Sequence, residues 1–233
     1  MPEDAAQTWI SGGTLPIGQV KVERLLARVP LVRPGQDLRP ILEAHLKTRV
    51  RPGDIAFISE KVVSITQGRV VGMWQITPRP LANFLSRFVR KTPHGLGVRQ
   101  PVVMEMAMRE AGPARIVFAA IIGGMTRAIG RSGDFYRIAG RRVAAIDGPN
   151  RHTVRPYGYY VILAPEEPDK VAEEIAQILG VSAAVVDCND LGSEVLGASS
   201  GVDVGFVRRA LRGNPMGQGH QRTPMGVLRL QGQ

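Results

Sequence analysis

Cysteine and long apolar segments are scarce in this sequence. Only Cys188 among the 233 residues carries a thiol, which excludes an internal disulfide framework and a zinc site of several thiolates and fits a reducing compartment. The longest apolar run, Ile116–Ile122, is far shorter than the ~18 residues that a membrane-spanning helix requires. The segment Met1–Gly13 contains Glu3 and Asp4 and no apolar core, so it does not resemble a secretory signal. We expect a cytoplasmic protein with no membrane partner.

Common nucleotide and metalloprotease motifs are also absent. The sequence has no Gly-Lys-Ser/Thr triplet of a phosphate-binding loop, no Gly-x-Gly-x-x-Gly fingerprint and no His-Glu-x-x-His. Of the four scattered histidines, His45 lies near the apolar face of a predicted helix, where we interpret it as structural. Cys188 follows a predicted buried strand, which favours an inert core thiol over a nucleophile. The acidic and basic residues are therefore the better candidates for function.

The positive charge of the chain is concentrated in two segments. The formal net charge is +10. Residues 123–155 contain seven arginines against Asp134 and Asp147, and five further arginines follow Asp203 with no acid among them. Each segment contributes +5, so the rest of the chain is neutral in sum. Charge concentrated in this way can bind phosphates or attract an anionic substrate to a cleft; the alternative is that the arginines lie on solvated faces.

Hydrophobic periodicity predicts both helices and strands. Helices are predicted from Pro80 onward, over Pro101–Glu110 and over Pro168–Leu179. Strands are predicted at Ile55–Ile58, Gly158–Leu163, Ala183–Val186 and Met225–Leu230. A buried strand is expected over Arg115–Ile122, and a hairpin is expected from Phe135–Ile138 and Arg142–Ile146.

The order of these elements mixes hairpins with crossover connections, which argues against a purely parallel doubly wound sheet. We expect an α+β (mixed α/β) fold with mixed sheets, hairpins and packed helices. Residues 1–17 are polar and are expected to form a flexible lead. Residues 18–233 are expected to form a single domain, with room for a division into two lobes.

Acidic residues follow two of the predicted strands. Asp147 ends the apolar segment in Ala-Ala-Ile-Asp-Gly-Pro-Asn, and Asp187 ends another predicted strand, with Asn189 and Asp190 just beyond it. Carboxylates at strand ends beside arginine-rich loops can present oxygen ligands to a divalent cation next to nucleotide phosphates. The alternative is a pair of polar turns, because Asp-Gly-Pro-Asn is strong turn chemistry in its own right.

Several stretches together resemble one known family. They are Leu31–Leu38, Pro52–Ser64, Gln67–Val71, Ala145–Asp147 with Asn150, and Leu163–Lys170. These stretches resemble the coenzyme F420-0:L-glutamate ligases, which attach γ-linked glutamates to a deazaflavin coenzyme. The resemblance runs from about Val29 to Arg229, and the part from Gly53 to Val71 is its most specific portion.

The resemblance implies a GTP-dependent reaction at a divalent metal, Mn²⁺ or Mg²⁺, in an intertwined homodimer of the F420 ligase-like fold. It implies nucleotide contacts at Val29, Pro30, Leu31, Val32, Glu60, Ser64 and Asn150. Asp147 matches the family's first metal aspartate. For the second metal position, alignment through Leu191 and Gly192 favours Asn189 and Asp190, whereas counting from the strand end favours Asp187. A C-terminal position that is often acidic in the family falls near Gln218 or Gln221.

The sequence also departs from the family pattern. Ile65 stands where the family has a lysine, and glutamine stands at the C-terminal acidic position. Lys61 is nearby, but along a strand it would point elsewhere. Three hypotheses remain open: a ligase that forms an amide between an anionic acceptor and an amino acid, a non-catalytic or altered nucleotide-binding homologue, and a nucleic-acid-binding protein. We rank nucleic acid last, because the basic segments contain few aromatic residues for stacking.

Overall fold

The computed structural model describes residues 9–89, 97–150, 153–189, 192–217 and 221–231. The chain divides into two compact units. Residues 1–68 and 165–233 form the first, which we call the sheet unit, and residues 69–164 form the second, which we call the helical unit. Strand β1 covers residues 9–17, which belong to the segment expected to be a flexible lead.

The elements are numbered along the chain. The strands are β1 (Trp9–Ile17), β2 (Val20–Ala27), β3 (Ile55–Ser59), β4 (Val70–Gly72), β5 (Tyr160–Ile162), β6 (Ser182–Asn189), β7 (Gly192–Ala198) and β8 (Met225–Gln231). The helices are α1 (Leu38–Leu42), α2 (Glu60–Thr66), α3 (Pro80–Ser86), α4 (Pro101–Ala111), α5 (Pro113–Ala128), α6 (Asp134–Ala139), α7 (Arg141–Ala144), α8 (Pro168–Leu179) and α9 (Val204–Ala210). A π-helical turn, Glu43–Lys47, continues α1.

The sheet unit is built on a six-stranded sheet in the order β1-β2-β8-β3-β6-β7. Its one parallel pair is β3 with β6, and the other neighbours run antiparallel. The run Ile55–Ile58 is continuously apolar because β3 lies inside the sheet, between β8 and β6. Helix α8 has proline at its first position and ends at Gly180, whose φ is 76°. It buries Ala172, Ile175 and Leu179, as the helical spacing of these residues requires.

The helical unit packs its helices around α4. Met104, Met106 and Met108 are buried in the core of this unit, so their role is core filling, as methionines most often provide. The short strands β4 and β5 pair antiparallel, with Val70 opposite Ile162 and Gly72 opposite Tyr160. Asp147 extends this pair through a single antiparallel bridge to Ile162.

The predicted strand over Arg115–Ile122 is wrong: these residues lie in α5. Gly112 ends α4 with a φ of 84°, and Pro113 then occupies the first position of a new helix, where its missing N–H costs nothing. A short, continuously apolar run is compatible with a buried helix as well as with a buried strand, and periodicity alone cannot separate the two. The predicted hairpin is also wrong, since its two arms lie largely in α6 and α7.

The mixed α+β fold class predicted from the sequence is confirmed by this combination of a mixed sheet and packed helices. Within the described ranges, no helix has the length and apolar character needed to cross a lipid bilayer.

Candidate functional site

Glu60 and Asp187 lie next to each other at one edge of the sheet unit. Ser59 of β3 is the register partner of Val186 of β6, and both strands run in the same direction. The residue that follows each of these two is a carboxylate, Glu60 at the start of α2 and Asp187 in β6. They lie toward the carboxyl end of the parallel pair, where α/β proteins commonly bind ligands. Glu60 is only 5% exposed, and Asp187 is partly buried.

The thiol of Cys188, beside these carboxylates, has a pKa above its ordinary value. Burial, together with the negative charges of Asp187 and Glu60, raises the pKa of Cys188 to about 11, against a smaller lowering by its hydrogen bond to Ser193. That bond runs from Sγ to the Ser193 hydroxyl over 3.4 Å. Because a protonated thiol is a poor nucleophile, the interpretation of Cys188 as structural stands.

Helix α2 carries two of the nucleotide-binding candidates, Glu60 and Ser64. The Ser59 side chain caps the helix by accepting from the backbone N–H of Lys61. Glu60 and Ser64 are four residues apart and so share one face of α2. Ser64 is 1% exposed, and its Oγ has no hydrogen-bond partner among the described residues. A buried hydroxyl without a partner is costly, which marks this position for a polar ligand atom or a water molecule.

The predicted nucleotide loop Val29–Val32 lies within the same unit. Val29 and Val32 are buried, and the backbone N–H of Val29 donates to the carbonyl of Arg222 over 2.9 Å. Just beyond the loop, the N–H of Gly35 donates to the carbonyl of Ile65 at the end of α2. Hydrogen bonds therefore connect the loop to Arg222, next to Gln221, and connect Gly35, just beyond the loop, to the end of α2. Gln218 lies outside the described residues.

The prediction that Asp187 ends its strand is wrong. Strand β6 continues to Asn189 and pairs antiparallel with β7, so Asp187 is opposite Glu194 and Asn189 is opposite Gly192. The apolar run ends at Val186, but pairing with β7 satisfies the backbone of the next three residues and prolongs the strand. Asp190 lies outside the described residues.

In the helical unit, Asp147 follows helix α7 and does not end a strand, which corrects the prediction. Its N–H donates to the Ile162 carbonyl, and the Ile162 N–H donates to the Asp147 carbonyl, both over 2.9 Å. Gln100 holds the following turn by donating from Nε2 to the Pro149 carbonyl over 3.1 Å. The backbone of Asn150 lies close against Gly158, where an added Cβ would meet the Asn150 carbonyl oxygen at 2.8 Å. The segment from Asp147 to Asn150 is therefore held by contacts with Ile162, Gln100 and Gly158.

The positive charge belongs to the helical unit. Residues 69–164 contain fifteen arginines and lysines against four acids, whereas the sheet unit has fifteen against sixteen. Two acids of the helical unit each form ion pairs with two arginines: Glu105 with Arg79 and Arg109, and Glu110 with Arg69 and Arg142. The sheet unit neutralises its own cations, and Arg229 there makes two hydrogen bonds to the buried Asp54, of 3.0 and 2.8 Å. The charge of the C-terminal arginines is thus offset by acids within their own unit.

The metal-ligand candidates are divided between the two units. Asp147 belongs to the helical unit, and Asp187 and Asn189 belong to the sheet unit. Within the described part of each unit, no three His, Cys, Asp or Glu side chains come together as a metal site. The proposed metal ligation therefore stays a prediction.

Comparison with known proteins agrees with the resemblance found in the sequence. The family model for F420-0:Gamma-glutamyl ligase matches residues 27–188, which is more than half of the chain. The chain belongs to this family. The matched region of this F420-0:gamma-glutamyl ligase family member begins at the end of β2 and includes α2, the helical unit and most of β6.

A curated relative carries the same activity in its name. The coenzyme F420:L-glutamate ligase of Methanopyrus kandleri is 29% identical over 202 residues, covering 82% of this chain and 66% of the relative. This chain thus spans slightly less than two thirds of that protein. The prediction of the family is confirmed, while the activity of this chain and the assignment of individual site residues stay predictions.

Proposed function

We propose that this family member joins an amino acid, L-glutamate, through an amide bond to the carboxylate of an anionic deazaflavin acceptor, with GTP as phosphoryl donor and Mn²⁺ or Mg²⁺ as metal. Family membership supports the class of reaction. One observation of the structure carries the nucleotide part: Glu60 and Ser64 lie on one face of α2, beside Asp187, and the buried Ser64 hydroxyl has no partner among the described residues.

The proposed nucleotide site of the sheet unit consists of the loop Val29–Val32 and the Glu60–Ser64 face of α2. Ser64 Oγ would donate to, or accept from, the nucleotide, which would satisfy its hydrogen-bonding capacity. Gln221 would contribute an uncharged side chain where the family often has an acid. In the helical unit, Asn150 would add a nucleotide contact on the turn that follows Asp147.

Oxygen donors make the candidate ligands suitable for a hard divalent cation. Asp147 and Asp187 offer carboxylates and Asn189 an amide oxygen, and Mg²⁺ commonly takes only one or two carboxylates together with substrate phosphates and water. The small number of protein ligands therefore fits a metal that arrives with the nucleotide. Such an ion would neutralise negative charge on the transferred phosphoryl group.

The reaction balances in two steps. An oxygen of the acceptor carboxylate attacks the γ-phosphorus of GTP, which forms an acyl phosphate and releases GDP. The amino group of glutamate then attacks the acyl carbon, phosphate leaves, and the amine loses a proton as the amide forms. Three negatively charged reactants must be brought together, and the excess of eleven positive charges on the helical unit would favour their approach.

The assignment is tested by incubating the protein with GTP, Mn²⁺, coenzyme F420-0 and isotopically labelled glutamate, and following the labelled product by mass spectrometry. Asp147→Asn should abolish turnover without changing the melting temperature. Asp37→Asn is the matched control, because asparagine caps a helix as well as the Asp37 side chain that now caps α1. Full activity of Asp147→Asn would remove Asp147 from the site.

Binding without turnover would favour the non-catalytic homologue. The observation behind this alternative is Ile65, a 6% exposed apolar side chain at the position of the family lysine. Calorimetric titration with GTP, with and without Mn²⁺, tests both functions together. A chain that binds no nucleotide would fit neither the ligase nor the non-catalytic homologue. Nucleic-acid binding and the cytoplasmic location stay predictions.

The proposed homodimer has a candidate interface on α5. Phe118, Ile121 and Met125 repeat at helical spacing, and Ile129 follows just beyond the helix; all four are more than half exposed. Exposed apolar stripes of this kind mark interaction surfaces. Among homo-oligomers the twofold dimer is by far the commonest assembly, and we propose that this stripe packs against its copy in a second subunit.

A further inference from the structure

Trp74 is an exposed indole that the helical unit holds in one orientation. The side chain is 67% exposed, although tryptophan is usually covered. Trp74 lies in a single helical turn, Met73–Gln75, directly after β4. The Gln75 side chain closes this turn by accepting from the N–H of Gly72 over 3.0 Å.

One face of the indole rests on Gly72. A Cβ added at Gly72 would lie 2.6, 2.6 and 2.9 Å from three successive atoms of the six-membered ring, Cε2, Cζ2 and Cη2. Such nearly equal distances place the glycine over the face of the ring and not at its edge. Any side chain at position 72 would lift the indole, so glycine is required here by the close approach of the ring. With Gly72 against one face, the 67% exposed side chain still leaves most of its surface open to a ligand.

Tyr160 contacts the indole, and Tyr157 in turn contacts Tyr160. Gly72 is the register partner of Tyr160 across the β4–β5 pair. The Trp74 and Tyr160 rings meet edge to face, with centroids 5.1 Å apart at 77°, and Tyr160 contacts Tyr157 in the same manner at 5.7 Å. Edge-to-face pairs are stabilising beyond the area that they bury. The indole is therefore a preorganised shelf, which would lose little side-chain entropy on binding a ligand.

The surroundings of this shelf suit an anion. Tyr160 is two residues from Ile162, which pairs with Val70 on one side and with Asp147 on the other. The Gly72 backbone under the shelf therefore lies about 7 Å along the strand and two strand spacings, about 10 Å, across from the Asp147 backbone. Arg155 is exposed and precedes Tyr157 by two residues, and the whole unit has an excess of cations. A ring placed on Trp74 could thus direct an anionic tail toward Asp147.

We propose that Trp74, backed by Gly72 and Tyr160, is a stacking site for a planar fused heteroaromatic ring that carries a phosphate-bearing tail. The inference rests on the proposed function, which supplies two ligands of this chemistry: the deazaflavin ring of the acceptor and the guanine of the nucleotide. The indole face recognises the shared flat ring, and separate titrations distinguish the two sources.

The experiment measures dissociation constants for coenzyme F420-0 and for GDP with Mn²⁺ by calorimetry, each with wild type, Trp74→Ala and Trp74→Phe. Removal of a stacking aromatic should weaken the ligand that occupies the shelf by about 5- to 150-fold, and phenylalanine should restore part of the loss. The other ligand should bind as before. In steady state, KM for the affected substrate should rise while kcat stays within about twofold, since the ring is remote from the reacting carboxylate.

Trp9 is the matched control because the chain has only two tryptophans and Trp9 belongs to the sheet unit. Trp9→Phe should leave both affinities unchanged, and its remaining fluorescence, which comes from Trp74 alone, should respond to the ring that binds. Gly72→Ala, which lifts the indole without removing it, should weaken the same ligand as Trp74→Ala.

The outcomes separate the stacking site from the proposed function. Unchanged affinity for both ligands in Trp74→Ala overturns the stacking site even if the enzyme turns over normally. If the only effect of Trp74→Ala is loss of the dimer, the stacking site is also overturned, because a second subunit then covers Trp74. A wild type that binds F420-0 through Trp74 but forms no amide keeps the site and removes the proposed activity. A wild type that binds neither ligand overturns both.

Discussion

Lys61 and Ile65 lie one helical turn apart on the same face of α2, since residues four apart in a helix are neighbours. In a strand the two side chains would have been far apart, and Lys61 could not have replaced the lysine that the family has at position 65. The helix changes that conclusion. Lys61 is only partly buried, whereas Ile65 packs into the interior, so we propose Lys61 as the cation that this face offers to a nucleotide phosphate.

Lys61→Met should therefore weaken GTP binding. A hydrogen bond to a charged group contributes about 1.5–3 kcal/mol, which corresponds to an increase in Kd of roughly tenfold or more. Methionine keeps the length and helix propensity of the side chain, so the melting temperature should change little. Lys170→Met is the control, because Lys170 is exposed on α8 and contacts only Glu167 among the ion pairs of the described residues. Equal GTP affinity in both variants would show that Lys61 does not replace the lysine that the family has at position 65.

Ser64→Ala should separate stability from binding. The Ser64 hydroxyl is buried without a partner among the described residues, so its removal should raise the free energy of unfolding by about 1 kcal/mol or leave it unchanged. The same change should weaken GTP binding, because the ligand loses a hydrogen-bond partner.

Thr66 provides the opposite case on the same helix. Its hydroxyl already donates to the Val63 carbonyl over 2.8 Å, so Thr66→Ser should leave both properties nearly unchanged, and Thr66→Ala should lower stability by about 1 kcal/mol without an effect on GTP. Chemical denaturation and calorimetry measure the two quantities. If Ser64→Ala is destabilised while GTP affinity is retained, the hydroxyl is structural.

The elements predicted correctly are those that local features of the sequence determine. Pro168 and Gly180 mark both ends of α8, and the continuous apolar run of β3 indicates an interior strand. Helix α2 was missed because its adjacent Val62 and Val63 are β-branched and favour strands, whereas the Ser59 cap and burial of the apolar side chains decide for a helix.

The candidate sites depend more strongly on pairing between distant segments. No local pattern places Asp187 beside Glu60, because this relationship arises from the parallel register of β3 with β6. The same holds for Trp74 and Tyr160, which meet only because β4 pairs with β5. The family resemblance identified single candidate residues, and the strand register shows which of them are neighbours.

Glu105 should make the helical unit sensitive to acid. Its burial alone would raise the pKa, but hydrogen bonds and charge from Arg79, with a further hydrogen bond from Arg109, outweigh this and lower it. The folded state therefore binds the proton less tightly than the unfolded state does. The stabilisation is present above the ordinary glutamate pKa of about 4.3 and is lost as the pH falls from there through the lowered pKa of the folded state.

Glu105→Gln should remove this contribution. At neutral pH the variant should be less stable than wild type by about 1–3 kcal/mol, because charge-assisted hydrogen bonds become neutral ones. The difference should shrink as the pH falls below about 4.3, which urea unfolding at a series of pH values can follow. A difference that is constant from neutral pH into this acidic range would show that the loss is one of packing.

Met125→Glu should dissociate the proposed dimer. A carboxylate in the middle of the apolar stripe on α5 would be buried without a designed partner if two copies packed there, which costs several kcal/mol. Light scattering after size exclusion should show wild type as a dimer and Met125→Glu as a monomer with an unchanged circular dichroism spectrum. Val204→Glu makes the same kind of change at an exposed apolar position of α9, in the sheet unit, and should remain dimeric. A monomeric wild type at micromolar concentration would rule out the stripe as a stable interface between copies, since an interface that buries this many large apolar side chains should hold at that concentration.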